Sequence, residues 1–316
     1  NDAKPLFTAG PASLIYENVA ALRPCFGRGD SEFLASHQRV LTAISEIAEQ
    51  DRTVAMQGSG TSAIEVMIAN FLYGKVLVVD SGYYAKRLKS IADIRARRDG
   101  FITSIDVVDW LQIDEVSTPY DWILAVYTET SEATLVPIAG LEALAKRCDA
   151  SLALDATASI GLEPRHGVAD VTAFSSCKGL FGLTGAGFIS YSCDVPNEVE
   201  DMISALSTYA EKKTTGPYHA ILSLEPILAN HAFHREAVVI NKRAFCRKFA
   251  DHLMYEETLQ PLLCTALSAP IRSIDPNAIL YAPRQTKTAC MPCHLGEVHL
   301  GSQAHGKLVD LLATET

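Results

Sequence analysis

Two side chains of opposite charge stand at the ends of neighbouring apolar runs in residues 151–191. Leu152-Ala153-Leu154 ends in Asp155, and Val171-Thr172-Ala173-Phe174 ends in Ser175-Ser176-Cys177-Lys178. Short apolar runs bounded by Gly, Pro and Asp read as buried strands, so an acid and an amine at their ends can face one cavity. That pair suits pyridoxal 5'-phosphate (PLP). The lysine condenses with the aldehyde as a Schiff base, and the acid pairs with the pyridinium nitrogen so that the ring draws in electrons. A lone lysine after an apolar run is most often a solvated surface residue. Here small residues precede Lys178, and Gly179, Gly182, Gly185 and Gly187 follow it. They leave room beside the amine and allow close backbone approach.

The elements around this pair alternate. Residues 53–57 (TVAMQ) read as a strand, followed by Gly58-Ser59-Gly60-Thr61-Ser62 and a helical pattern through Ala63, Val66, Met67 and Ala69. Strand, glycine–serine turn and helix start make a phosphate site, because free amides at the helix N-terminus and nearby hydroxyls point at an anion. No Gly-Lys-Ser/Thr follows, so this is not a nucleotide P-loop. Residues 76–80 (VLVVD) and 123–127 (ILAVY) are further strands, 186–191 another, and 141–148 a helix. Ser31 or Asp30 is expected to cap a helix whose apolar face runs through Phe33, Val40, Leu41, Ile44 and Ile47. Residues 221–249 read as one long helix with a break expected near Pro226. Alternating strands and helices predict an α/β sandwich around a largely parallel sheet, with site residues at carboxyl strand ends.

Taken in order, these motifs resemble the class V aminotransferases, fold type I PLP enzymes, and within them the 2-aminoethylphosphonate–pyruvate and alanine–glyoxylate branch. The resemblance runs from about Leu6 to the C-terminus, with gaps in the last quarter. It implies a large PLP-binding domain with a mostly parallel seven-stranded sheet between helices, over residues 1–225. A linking helix and a small, shortened α+β domain would follow over 226–316. It implies that Lys178 and Asp155 are catalytic, that Ser59, Gly60 and Thr61 hold the cofactor phosphate, and that Tyr84, in Ser81-Gly82-Tyr83-Tyr84, stacks on the ring. Thr130, in Thr128-Glu129-Thr130-Ser131, corresponds to the residue bonded to the phenolic oxygen, while Thr157 and Cys177 sit at further ring contacts. Thr215, in Lys213-Thr214-Thr215-Gly216-Pro217, matches a residue that reaches the phosphate of a neighbouring subunit, which implies a homodimer. Gly10, in the Leu6–Ala12 turn, would lie on the substrate side.

One position departs from the family. Counting back from Gly296-Glu297-Val298, the arginine that grips the substrate carboxylate should stand near 291, where this chain has Met291. Arginine serves there because its planar fork matches a carboxylate. Either another cation among Arg28, Arg272, Arg284, Lys287 and His294 takes over, with Arg28 placed on the substrate side, or the substrate differs. The expected function is a PLP-dependent aminotransferase acting on a small amine or amino acid and a keto acid. A PLP-dependent lyase, decarboxylase or cyclase is the alternative, and a non-catalytic scaffold is a third reading that Asp155 and Lys178 oppose.

Bulk composition is consistent with this. The 316 residues are 48% hydrophobic and 20% charged, ordinary for a soluble globular protein. With 27 basic and 37 acidic residues the net charge is −10, which argues against nucleic acid or an anionic membrane as partner. The sequence has no run of eighteen apolar residues and no export-signal pattern at its start, and its eight cysteines are scattered, so a cytoplasmic protein is expected. Cys290-Met291-Pro292-Cys293-His294 has CxxCH spacing but no second pair nearby; it reads as coincidence, and no metal is expected.

Overall fold

The computed structural model describes residues 4–10, 14–24, 27, 29–281 and 290–315. A short strand β1 (Leu6–Phe7) and a short helix α1 (Tyr16–Ala20) precede helix α2 (Ser31–Ala48). Asp30 caps α2, accepting from the amides of Glu32 at 3.0 Å and Phe33 at 3.4 Å. Its buried face is Phe33, Val40, Ile44 and Ala48. The alternating part follows: β2 (Arg52–Gln57), α3 (Gly60–Phe71), β3 (Gly74–Asp80), α4 (Tyr83–Asp99), β4 (Ile102–Asp109) and β5 (Trp122–Val126). A small antiparallel pair, β6 (Thr128–Glu129) and β7 (Thr134–Leu135), leads to α5 (Ile138–Cys148), β8 (Ser151–Asp155), β9 (Val171–Ser175) and β10 (Ala186–Tyr191).

Seven of these strands form one sheet in the order β2-β10-β9-β8-β5-β3-β4. Neighbours are parallel except at β10, which runs antiparallel to both β2 and β9. The expected mostly parallel seven-stranded α/β sheet is borne out. Strands β5, β8, β9 and β10 are buried along nearly their whole length, which explains their continuous apolar sequence, since helices cover both faces of such a sheet. Edge strand β4 went unread because its exposed positions interrupt any apolar run.

Beyond the sheet, α6 (Leu206–Ala210), α7 (Tyr218–Ala229) and α8 (His231–Lys248) precede a region poor in regular structure, with β11 (Ile271–Ser273), β12 (Ile279–Leu280) and β13 (Leu312–Thr314). Strand β12 pairs with β1 and β11 with β13. The single helix expected over 221–249 is two helices, and the break falls at Asn230 rather than Pro226. Pro226 lies inside α7. The Asn230 side chain donates to the Pro226 carbonyl at 3.3 Å, closing α7 just before α8 begins. Asparagine suits such a junction because its amide satisfies carbonyls that a helix end leaves unbonded.

Candidate active site

A cavity of about 490 Å³ opens at the carboxyl ends of β5, β8 and β9 and at the N-terminus of α3. Gly10, Ser59, Gly60, Thr61, Tyr84, Thr130, Asp155, Thr157, Cys177 and Lys178 all line it. Asp155 is the last residue of β8, and Lys178 lies in the connection from β9 to β10. That connection is held at its base, where the Ser176 hydroxyl donates to the Leu183 carbonyl at 2.5 Å and the Gly182 amide to the Ser176 carbonyl at 2.8 Å. The Lys178 ammonium stands 5.9 Å from the centre of the Tyr84 ring, and Tyr83 meets Tyr84 edge-on.

The phosphate loop follows from local chemistry. Ser59 caps α3: its hydroxyl accepts the Ser62 amide at 3.3 Å, and the Ser62 hydroxyl accepts the Ser59 amide at 3.4 Å. The reciprocal pair is a capping box. No hydrogen bond from the Gly60 and Thr61 amides is found among the described residues, and both residues line the cavity. Gly60 has no room for a side chain, since a Cβ there would lie 2.9 Å from the Thr157 hydroxyl oxygen. The helix start thus packs directly on the residue that follows Asp155 by two.

Two residues that sequence reasoning passed over also build the site. Glu129 is fully buried. It accepts the amides of Tyr84 at 3.0 Å and Ala85 at 3.2 Å, and also the amide and hydroxyl of Ser131. It therefore closes the N-terminus of α4 and fixes Tyr84. Burial pushes its carboxyl above the usual range, and those hydrogen bonds pull it back. Gly82 must be glycine beside it, with φ +148 and a would-be Cβ 2.9 Å from the Glu129 side chain. Arg87, one turn along α4 from Tyr84, lines the cavity and donates to the Thr61 hydroxyl at 2.6 Å. Its spacing from Tyr84 puts both on one helix face, a signal available in the sequence.

The donor and acceptor set fits PLP. Asp155 is 6% exposed, and burial raises its carboxyl affinity for a proton. The Thr157 bonds, Lys178 and Arg87 oppose that rise. A buried carboxylate here would pair with a protonated ring nitrogen. Thr128 also lines the cavity, and its buried hydroxyl oxygen has no hydrogen-bond partner among the described residues, which suits a polar ligand.

Other expected positions lie elsewhere. Thr215 is exposed and does not line the cavity. Arg28, Arg284 and Lys287 fall outside the described residues. Arg272 is exposed on β11. His294 is fully buried, with its Nε2 against the Thr265 hydroxyl at 2.9 Å. Met291 is fully buried in an apolar cluster with Leu263, Cys264, Cys293 and Leu295. In the CxxCH segment, Cys293 pairs across an antiparallel bridge with Cys264, and Cys290 with Leu267. Among the described residues no three potential ligands gather as a metal site would need.

A carboxylate and an amine stand at the carboxyl edge of this sheet, beside a capped helix start. Solved structures share the fold. Alanine–glyoxylate aminotransferase from Nostoc sp. matches with a TM-score of 0.79 at 17% identity, covering 98% of this chain and 94% of that one. Pyridoxamine–pyruvate aminotransferase from Mesorhizobium loti matches with 0.78 at 16% identity, covering 94% and 88%. In sequence, the chain is 27% identical over 301 residues to a 2-aminoethylphosphonate–pyruvate transaminase of Pseudomonas fluorescens, covering 87% of this chain and 78% of that protein. No family model matches. The class V resemblance read from the motifs is borne out by these relatives. No described helix is long and apolar enough to cross a membrane.

Proposed function

We propose that the protein is a PLP-dependent aminotransferase that moves an amino group between a small amine or amino acid and a keto acid, of the 2-aminoethylphosphonate–pyruvate kind. The supporting observation is the convergence of Lys178, Asp155 and the amides of Gly60 and Thr61 on one cavity. Bound PLP supplies an electron sink for the carbon that bears the amino group. Lys178, freed by the incoming amine, acts as the base that takes the proton from that carbon and the acid that returns it. Asp155 holds the proton on the ring nitrogen. Ser59, Gly60 and Thr61 would hold the phosphate, Tyr84 would stack on the ring, Thr130 would bond its phenolic oxygen, and Thr157 and Cys177 would make further ring contacts. Gly10 and Arg28 belong to the substrate side. Thr215, exposed in one subunit, reaches the phosphate of a second, so the working form is a homodimer. A cytoplasmic location accords with the seven described cysteines, all of them free thiols.

One observation favours a second reading. Met291 is sealed in apolar packing where the family places a carboxylate-binding arginine, which suits a lyase, decarboxylase or cyclase. The deciding experiment is the absorption spectrum of the purified protein with PLP, before and after adding 2-aminoethylphosphonate, alanine and other amines. A visible band that one donor converts to the aminated cofactor supports transamination. Product formed without aminated cofactor moves the assignment to the second reading, and a protein that stays colourless with PLP overturns both.

A further inference from the structure

Arg87 is the one described cation besides Lys178 that lines the cavity, and no carboxylate among the described residues lies within ion-pair distance of it. A half-buried arginine beside an acidic-rich fold, left without an acid, is set to answer some other anion. Its side chain instead donates to the Thr61 hydroxyl at 2.6 Å. A guanidinium can only donate, so the Thr61 oxygen serves as acceptor in this bond. The hydroxyl proton must then point to a different acceptor. Thr61 is the second residue of α3, and its amide and that of Gly60 are the first-turn donors that the Ser59–Ser62 capping box does not use. An anion at this helix start would therefore meet two amides, an oriented hydroxyl and a nearby fixed positive charge.

We infer that Arg87 is a positioning residue for the cofactor phosphate: it holds the Thr61 hydroxyl in the orientation that donates to the phosphate and places a permanent positive charge behind it. This rests on the proposed PLP reading and adds to it a residue on a separate helix. The geometry makes three demands. The effect must depend on the phosphate and not on the ring. Part of it must pass through Thr61. Charge alone, as in lysine, must restore only part of it, because a lysine ammonium lacks the planar fork.

The test compares PLP with pyridoxal, which has the ring and aldehyde but no phosphate. Dissociation constants for both are measured by cofactor absorbance on the wild-type protein and on Arg87→Met, Arg87→Lys, Thr61→Val and the Arg87→Met/Thr61→Val double variant. Cofactor-free melting temperatures monitor folding. Arg87→Met is expected to weaken PLP about ten- to hundredfold, the loss of a charge-assisted contact, and to leave pyridoxal unchanged. Arg87→Lys should fall between, and the loss in the double variant should be smaller than the sum of the two single losses. Equal losses for PLP and pyridoxal in Arg87→Met, or losses that add in the double variant, overturn the inference while the PLP reading stands. If Arg87→Met is poorly folded, Thr61→Val and Arg87→Lys carry the same comparison, and an unchanged preference for PLP over pyridoxal in both overturns the inference. A wild-type protein that binds neither compound overturns the cofactor reading and the inference together.

Discussion

Asp155 and Glu129 in the sheet half, and Lys242, His294 and Glu297 in the C-terminal half, are all buried, yet their surroundings answer them differently. Asp155 opens onto the cavity, and Glu129 braces the helix that carries Tyr84 into it. In the C-terminal half the polar groups turn back on the chain. The Lys242 ammonium donates to the carbonyls of Pro261 at 3.0 Å and Cys264 at 2.7 Å, tying α8 to the loop beyond it. His294 is held neutral by burial against Thr265. Glu297 is pushed up to about 8 by burial. In the sheet half Asp155 faces the cavity while Glu129 braces a helix that lines it, and in the C-terminal half the buried polar groups lie in a region with little regular structure. The cavity end that holds Asp155 and Lys178 is thus closely specified, and the C-terminal half contributes apolar packing, with Met291 inside it.

The sharpest way to break this contrast is Lys178→Ala. Turnover should fall by at least about 10²–10⁴-fold with loss of the general base, and the visible band with PLP should vanish, while the melting temperature of the cofactor-free protein barely moves. A large drop in melting temperature would mean that Lys178 is structural, like Lys242. In the other half, Met291→Arg forces a charge into the cluster around Leu263 and Leu295. Stability should fall by about 3–5 kcal/mol, read from urea midpoints. Full stability with a gain in carboxylate binding would show instead that the C-terminal half readily takes up the substrate-gripping role.

Glu297→Gln tests the pH side of the comparison. The unfolded carboxyl releases its proton near 4.5 and the folded one near 8. Between those values the folded state binds more protons, so the wild type loses stability as pH rises through that window. The glutamine variant lacks this slope. Its melting temperature should gain on the wild type's between pH 5 and pH 8, and parallel curves would rule out a buried neutral Glu297. The smallest effect is expected for Ser59→Ala, which removes the α3 cap at about 1 kcal/mol. Thermal unfolding without cofactor measures it, and a loss several times larger would mean that the loop supports the sheet as well as the ligand.

The sequence made the centre of the site readable because its residues there follow apolar runs, and such runs in a parallel sheet end where ligands bind. Asp155, Lys178 and the Ser59–Thr61 loop all announce themselves that way. Arg87 and Glu129 did not. Each is a charged residue near a turn, and its meaning depends on which neighbour it meets across the fold: Thr61 for Arg87, the α4 amides for Glu129. Arg95 shows the same limit. It reads as part of a solvated helix face, yet it is almost fully buried and paired with Asp99 at 2.7 Å. The α7–α8 break was placed at the proline because proline is the stronger local signal, while the actual break uses an asparagine side chain. The antiparallel course of β10 was not legible either, because periodicity marks a strand and not its direction.

That reversed strand has a consequence for how the protein assembles. The lysine loop joins two neighbouring, hydrogen-bonded strands, β9 and β10, so its closure is local and entropically inexpensive. The Ser59 loop comes to it only when β2, from far earlier in the chain, docks on β10 with Gln57 opposite Ala186, a register extended by the Gly58 amide donating to the Gly185 carbonyl at 3.0 Å. Long-range pairings of this sort form late. During refolding, the amine would be in place before the phosphate cradle, and the gain of PLP colour would time the closing of the sheet's last seam.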